Sequence, residues 1–231
     1  MTRLGIVTGL VREAAIIEQA ARHLPEHSRP LVFCAGGNNR RAEDGASELA
    51  GRGVDGLVSF GVAGGLDPAL TPGDIVIAER ILTGKRALET SANWRGRLTR
   101  HLPASQACHN PGIFSVDTPV TTAGDKAKLW QGTGAVAVDM ESGGVAVAAA
   151  HANLPFLCVR AVVDPFDQSI PGAAAMAMRP DGTVSILAVL ARLLLAPGQL
   201  PDLIRLGRAD AKAMTALGRV AALGLPSFFL G

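Results

Sequence analysis

The sequence predicts an α/β domain with a central twisted mixed sheet flanked by helices. Three observations predict it. Short β-rich runs alternate with helical patterns along most of the 231 residues. The runs are apolar at successive positions, so both faces of their strands must be covered. Acids recur just past the ends of those runs, where sheets of this class gather their sites.

The elements follow in order. "LGIVTG" (4–9) reads as a first strand and "VREAAIIEQAARHL" as the helix after it. "PLVFCAG" (30–36) is a second strand, followed by a helix in "RAEDGASELAGR" that starts beside Arg40 and Arg41. "DGLVSFG" (55–61) is a third, then a Gly/Pro loop, then "DIVIAE" (74–79). "GAVAVDM" (134–140) leads into a helix of small residues, "GGVAVAAAHA", and "PFLCVRAVVD" (155–164) completes the alternation. The acids at strand ends are Glu13, Asp139 with Glu141, and Asp164. The last fifty residues read as two helices separated by "PGQLP" (197–201). In the second, Arg205, Arg208, Lys212 and Arg219 share one face, and Leu203, Leu206, Ala213, Leu217 and Val220 share another. No repeat or linker breaks the chain, so 1–231 is one domain, with 182–231 its C-terminal helical segment.

Composition narrows the function. A net charge of +2 and no Lys/Arg run of five or more argue against a nucleic-acid partner. Three widely spaced cysteines support neither a disulfide framework nor a zinc site, and a reducing cytoplasm is the expectation. No metal is expected. The first apolar run is too short for a signal-peptide core. "VSILAVLARLLLA" (184–196) is interrupted by Arg192 and too short to span a bilayer.

Taken alone, the candidate motifs admit plain readings. "SFGVAGGLDPALTPGDIVIAE" (59–79) matches neither G-x-G-x-x-G nor the P-loop. It reads as strand, tight turn and strand with glycines at positive φ. The other reading is that Gly61, Ala63, Gly64 and Gly65 let backbone approach a ligand. Glu13 reads as an exposed residue in a first helical turn, Asp139 as a helix cap, Glu141 as a dipole partner, and Asp164 before Pro165 as a turn start. The loop "GGNNRR" (36–41) is either a turn into a helix or an anion nest.

Together, "GVAGGLDPALTPGDIVIAE", "AVDMES" and "PFLCVRAVVD" make the chain resemble the purine nucleoside phosphorylase/nucleosidase superfamily over roughly residues 4–170. The resemblance is to its methylthioadenosine/S-adenosylhomocysteine nucleosidase branch. "MRPDGTVSILAVLARLLLAPGQLPDLIRLGR" (178–208) resembles the hopanoid-associated phosphorylases, a group implicated in cutting adenine from adenosylhopane. The resemblance implies cleavage of the N-glycosidic bond between adenine and a 5′-substituted ribose. It implies that Asp164 protonates N7 of the leaving base and that Glu13 positions and deprotonates a water. Glu141 would hold the ribose hydroxyls, with Met140 packed on the sugar. Asp117, Pro119, Val120 and Asp139 would bind the base, beside the glycine loop of Gly61, Ala63 and Gly64. Three departures stand out: Asp139 where relatives commonly have Glu, Val62 where they have Ser, and "PFD" after Asp164 where a small residue is usual. The candidate phosphate ligands are Arg12, Asn38, Arg40 and Arg160, and hydrolysis and phosphorolysis both stay open. Inorganic phosphate is the one co-substrate considered, and no cofactor is implied. The substrate is a small or lipid-linked nucleoside. The resemblance also implies a homo-oligomer. The basic final helix suggests peripheral membrane contact as one reading and packing on the domain as the other.

Overall fold

The computed structural model describes residues 3–84, 86–100, 102, 107–108, 112–171, 181–183 and 197–227. The first of the two expected C-terminal helices (184–196) lies outside them. The described strands are β1 (Leu4–Thr8), β2 (Leu31–Cys34), β3 (Gly56–Gly65), β4 (Ile75–Ile77), β5 (Arg80–Thr83), β6 (Arg86–Glu89), β7 (Ala107–Cys108), β8 (Gly112–Ser115), β9 (Ala137–Asp139) and β10 (Phe156–Asp164). The described α-helices are α1 (Val11–Ala20), α2 (Asn39–Gly51), α3 (Ala92–Thr99), α4 (Ala123–Thr133), α5 (Ser142–Ala152) and α6 (Leu200–Ser227).

One mixed sheet organises them, with β3 as its hub. The first half of β3 pairs in parallel with β1, which continues to β2. Parallel β10 runs along the other edge of β3, and its last residues, Gly64 and Gly65, pair antiparallel with Val138 and Ala137 of β9. β8, β5 and β6 extend the sheet beyond β9, and β4 and β7 extend it beyond β10. Because β1, β3 and β10 are parallel, their carboxyl ends open on one edge, where α/β sheets place ligands.

Both faces are covered, as the doubly apolar strands require. On one face, α2 and α5 pack Ala42, Ala46, Leu49, Val145, Ala146 and Ala149 with Leu57, Cys158 and Val162 of the sheet. On the other, Ile17 of α1, Leu98 of α3 and Ala213, Leu217, Val220 and Leu225 of α6 pack with Val58, Phe60, Leu157 and Val159. The apolar face of α6 is thus covered by the domain, and Arg205, Arg208, Lys212 and Arg219 point to solvent. Among the described residues, no helix is long and apolar enough to cross a membrane.

The small residues of α5 have a steric reason. A Cβ on Gly144 would collide with the Asn39 carbonyl and the Glu43 N–H of α2. One on Gly45 of α2 would enter the Phe33 ring. Bare backbone lets the two helices and the sheet close together.

The structure corrects two sequence readings. The segment 62–65 is no turn: β3 continues to Gly65, and none of Gly61, Gly64 and Gly65 has positive φ. Those glycines are needed for space. Glu13 is not exposed but buried, at 1% relative exposure.

Candidate active site

Three carboxylates converge beneath the open edge of the sheet. Glu13 comes from the first turn of α1 and reaches back to the end of β1. Its Oε2 accepts from the N–H of Gly9 (2.9 Å) and of Leu10 (2.8 Å), and its Oε1 from Val62 N–H (2.9 Å). Leu10 precedes the helix, so this bond is the reciprocal half of a capping box. Burial pushes the Glu13 carboxyl upward, against the pull of Arg160 and of the three N–H groups.

Glu141 stands where β9 hands over to α5. Its Oε2 lies 3.5 Å from a guanidinium nitrogen of Arg160. Burial pushes its carboxyl up to about 8; Arg160 opposes the shift, and Asp139 and Glu13 add to it. Asp139 is held more tightly. It receives Arg160 Nε at 2.7 Å and the Ser142 hydroxyl at 2.7 Å, with Ser142 N–H at 3.2 Å. Arg160, fully buried on β10, also donates to the Ser59 hydroxyl (2.8 Å). Asp139 is therefore cap and counter-ion at once.

Asp164 ends β10. The ladder slips there: Val162 pairs with Ala63 and Asp164 with Gly64, leaving Val163 extra. Such a bulge re-aims the side chain that follows it. Burial raises the Asp164 carboxyl, and Lys126, the nearby cation, draws it back.

Each carboxylate occupies space that a glycine leaves free. A Cβ on Gly61 would lie 2.7 Å from Glu13 Oε2, and one on Gly64 would lie 3.1 Å from Asp164 Oδ2. A Cβ on Gly9 would overlap Glu141 Oε1. The glycines serve the chain's own acids before any ligand arrives.

These groups surround a cavity of about 180 Å³. Gly9, Leu10 and Glu13 line it from the β1–α1 turn, Val62, Ala63 and Gly64 from β3, and Asp139, Met140 and Glu141 from the β9–α5 turn. Val163, Asp164 and Ile170 close it from β10 and beyond, and Val116, Pro119 and Val120 from the segment after β8.

Asp117 is not on that wall. It is exposed, and its carboxylate accepts from Asn39 Nδ2 at 3.3 Å. Gly61 lies behind the wall, against Glu13. The four candidate phosphate ligands do not line the cavity either. Arg12 pairs with Asp210 of α6, Asn38 caps α2 by accepting from Arg41 N–H, Arg40 is exposed, and Arg160 is bound to Asp139 and Glu141. From "GGNNRR", Gly37 alone touches the cavity.

Two site-supporting residues escaped sequence reasoning. Asn39 accepts from Gly144 N–H and the Ser115 hydroxyl (3.0 Å each) and donates to the Val116 carbonyl (3.0 Å), tying α2 and α5 to the wall segment. Lys126, on α4, is buried beside Asp164. Asn39 lay within the candidate loop 36–41 but was read there only as part of a turn or an anion nest, and Lys126 gave no signal, because a lone Lys in a helix normally faces water.

The phosphorylase superfamily profile matches residues 39–196. A 5′-methylthioadenosine/S-adenosylhomocysteine nucleosidase of Mycobacterium tuberculosis is 31% identical over 47% of this chain and 58% of its own length. A futalosine hydrolase of Streptomyces coelicolor is 34% identical over 51% of this chain and 57% of its own. The chain thus spans less than two thirds of the curated relatives it matches. Among solved structures, a methylthioadenosine/S-adenosylhomocysteine nucleosidase from S. pneumoniae superposes with a TM-score of 0.68 at 18% identity, covering 96% of this chain and 100% of the other. Futalosine hydrolase of Helicobacter pylori gives 0.67 at 16%, covering 95% and 97%. At such identities the likeness speaks for the fold.

Proposed function

The chain belongs to the phosphorylase superfamily, and on that premise we propose that it hydrolyses the N-glycosidic bond of a 5′-substituted adenosine and releases adenine. One observation carries the reading: Glu13, Glu141 and Asp164 meet at one cavity from three separate turns of the chain. Adenine is a poor leaving anion, so an acid must protonate it as the C1′–N9 bond breaks. Asp164, buried and raised, is the group for that, with its proton going to N7. Glu141 accepts from the ribose hydroxyls, and once ionised its carboxylate favours the oxocarbenium-like sugar. Met140 lays its thioether on the sugar face. Glu13 takes a proton from the water that attacks C1′, using the capacity left on Oε1 beyond the Val62 bond.

Water is the nucleophile in this reading because of charge. Among the described residues, four carboxylates and no lysine or arginine line the cavity. Phosphate would find no cation on that wall, since Arg160 is bound to Asp139 and Lys126 lies beside Asp164. Val62 offers it no hydroxyl, and the Val62 N–H is taken by Glu13.

For the substrate, we propose adenosylhopane, with the enzyme at work in the cytoplasm. Support comes from the 178–208 motif, from the apolar walls at Leu10, Val62, Val163 and Ile170, and from the outward basic face of α6. That face would let the protein rest on an anionic bilayer while taking a lipid-linked nucleoside. Charge reversal at Arg208 and Lys212 should then abolish co-sedimentation with anionic vesicles; unchanged co-sedimentation removes the membrane role. Methylthioadenosine and S-adenosylhomocysteine are the alternative substrates, favoured by the relatives' names. We also propose a homo-oligomer, which light scattering reads directly.

The deciding experiment incubates the protein with each nucleoside, with and without phosphate, and weighs the sugar product. Free ribose product independent of phosphate is expected. A phosphorylated sugar rejects hydrolysis, and no adenine from any substrate favours a binding protein instead.

A further inference from the structure

Lys126, in α4, has no solvent exposure. Its Nζ donates to the carbonyls of Asp164 (3.2 Å), Pro165 (2.8 Å) and Gln168 (2.9 Å), and lies 2.5 Å from Asp164 Oδ2. An ammonium has three N–H donors. Four oxygens surround them: three carbonyls and Asp164 Oδ2. Oδ2 sits closer to the same ammonium than any of the carbonyls does, and no other residue's polar group reaches it among the described residues.

The rest of α4 holds the same segment. Trp130, one turn beyond Lys126, meets the Phe166 ring edge to face, with centroids 5.8 Å apart. At the helix start, Ala123 N–H donates to the Ser169 hydroxyl (3.2 Å), and Ile170 N–H donates to the Thr121 carbonyl (2.8 Å). Residues 164–170 are laid along one helix, and the unusual "PFD" after the acid supplies one of the anchors.

We propose that Lys126 is the positioning residue for proton transfer from Asp164, fixing the 164–168 turn through its bonds to the three carbonyls and favouring the acid's carboxylate through its charge and its close contact with Oδ2. The inference rests on the reaction proposed above. A neutral carboxyl gains little from an ammonium at this distance, and a carboxylate gains much. The contact therefore strengthens as the proton moves to the leaving base, which is the direction in which an interaction speeds a reaction. Lys126 keeps its own protons; the one transferred is Asp164's. Among the described residues, Lys126 is the charged group that acts on Asp164. β3 and β9 present Gly64 and Val138 to Asp164, and Asp167 in the same turn is exposed.

The test compares Lys126→Met and Lys126→Arg for adenine release from methylthioadenosine across the pH range, with thermal melting to verify folding. With methionine, kcat should fall about tenfold or more and KM should change little, because Lys126 does not line the cavity. The alkaline limb should move up by about one pH unit or more, since Asp164 would hold its proton longer. Arginine keeps the charge and should leave the limb in place. A folded methionine variant whose limb does not move overturns the proposal, whatever its kcat. If that variant does not fold, a displaced limb in the arginine variant overturns it. NMR titration of the Asp164 carboxyl carbon reads the same shift without turnover. It separates failure of this inference from failure of the reaction.

Discussion

Glu13, Glu141 and Asp164 are all buried carboxylates, yet their surroundings give them different work. Glu13 is fastened by three backbone N–H groups, Glu141 shares Arg160 with Asp139, and Asp164 lies against the Lys126 ammonium. Asp164→Asn should cut adenine release by about 10²–10⁴-fold while leaving the melting temperature unreduced, as steady-state assays and calorimetry would show. Gly61→Ala should displace the Glu13 carboxylate and depress kcat, because its Cβ would sit 2.7 Å from Oε2. The raised carboxyls also bear on stability. In the unfolded chain Glu141 titrates near 4.3; in the folded chain burial pushes it up to about 8. Between those values the folded state binds more protons, so stability falls as pH rises through the window. Glu141→Gln should flatten that fall, read by urea denaturation near pH 5 and pH 8. The three acids were legible because each follows a strand, and Glu141 and Asp164 also stand in ordered motifs. Lys126 and Asn39 were not legible, since their partners are carbonyls and amides far away in sequence and no spacing rule joins them.

The strand–helix alternation of the chain's first third and of residues 134–164 was plain in the sequence. Two features between or within those elements were not. β3 looks like a strand ending in a glycine turn, and its pairing with β10 as far as Gly64 and with β9 at Gly64 and Gly65 shows that it continues. The bulge at Val163 leaves no compositional mark, because valine suits a regular strand equally well. The closeness of α2 and α5 was half legible: small residues announce tight packing without naming the partner. Gly144→Ala should therefore be destabilising in spite of alanine's better helix propensity. Its Cβ would meet α2 backbone, which cannot swing aside. The expected cost is about 1–3 kcal/mol, measurable by urea denaturation.

As a whole molecule, the chain closes its sheet from one side with its own last helix. Leu217→Ala in α6 should cost about 2–5 kcal/mol in urea denaturation, and removing 199–231 should uncover Phe60, Leu157 and Val159 rather than simply detach a tail. The sequence showed the two faces of that helix but not whether it would pack on the domain or contact a membrane. Placement across the chain also governs how the site can change. Gly9 makes room for Glu141, Gly61 for Glu13 and Gly64 for Asp164, so each of these three acids depends on a bare position on an element other than its own. Acid and glycine are then coupled as pairs, and substitutions at the two should be epistatic. A methyl group at position 61 that is harmful beside Glu13 should be tolerated once that residue is alanine. Divergence within such a site would proceed by paired replacements, and a glycine left behind after its acid is lost would mark a vanished function.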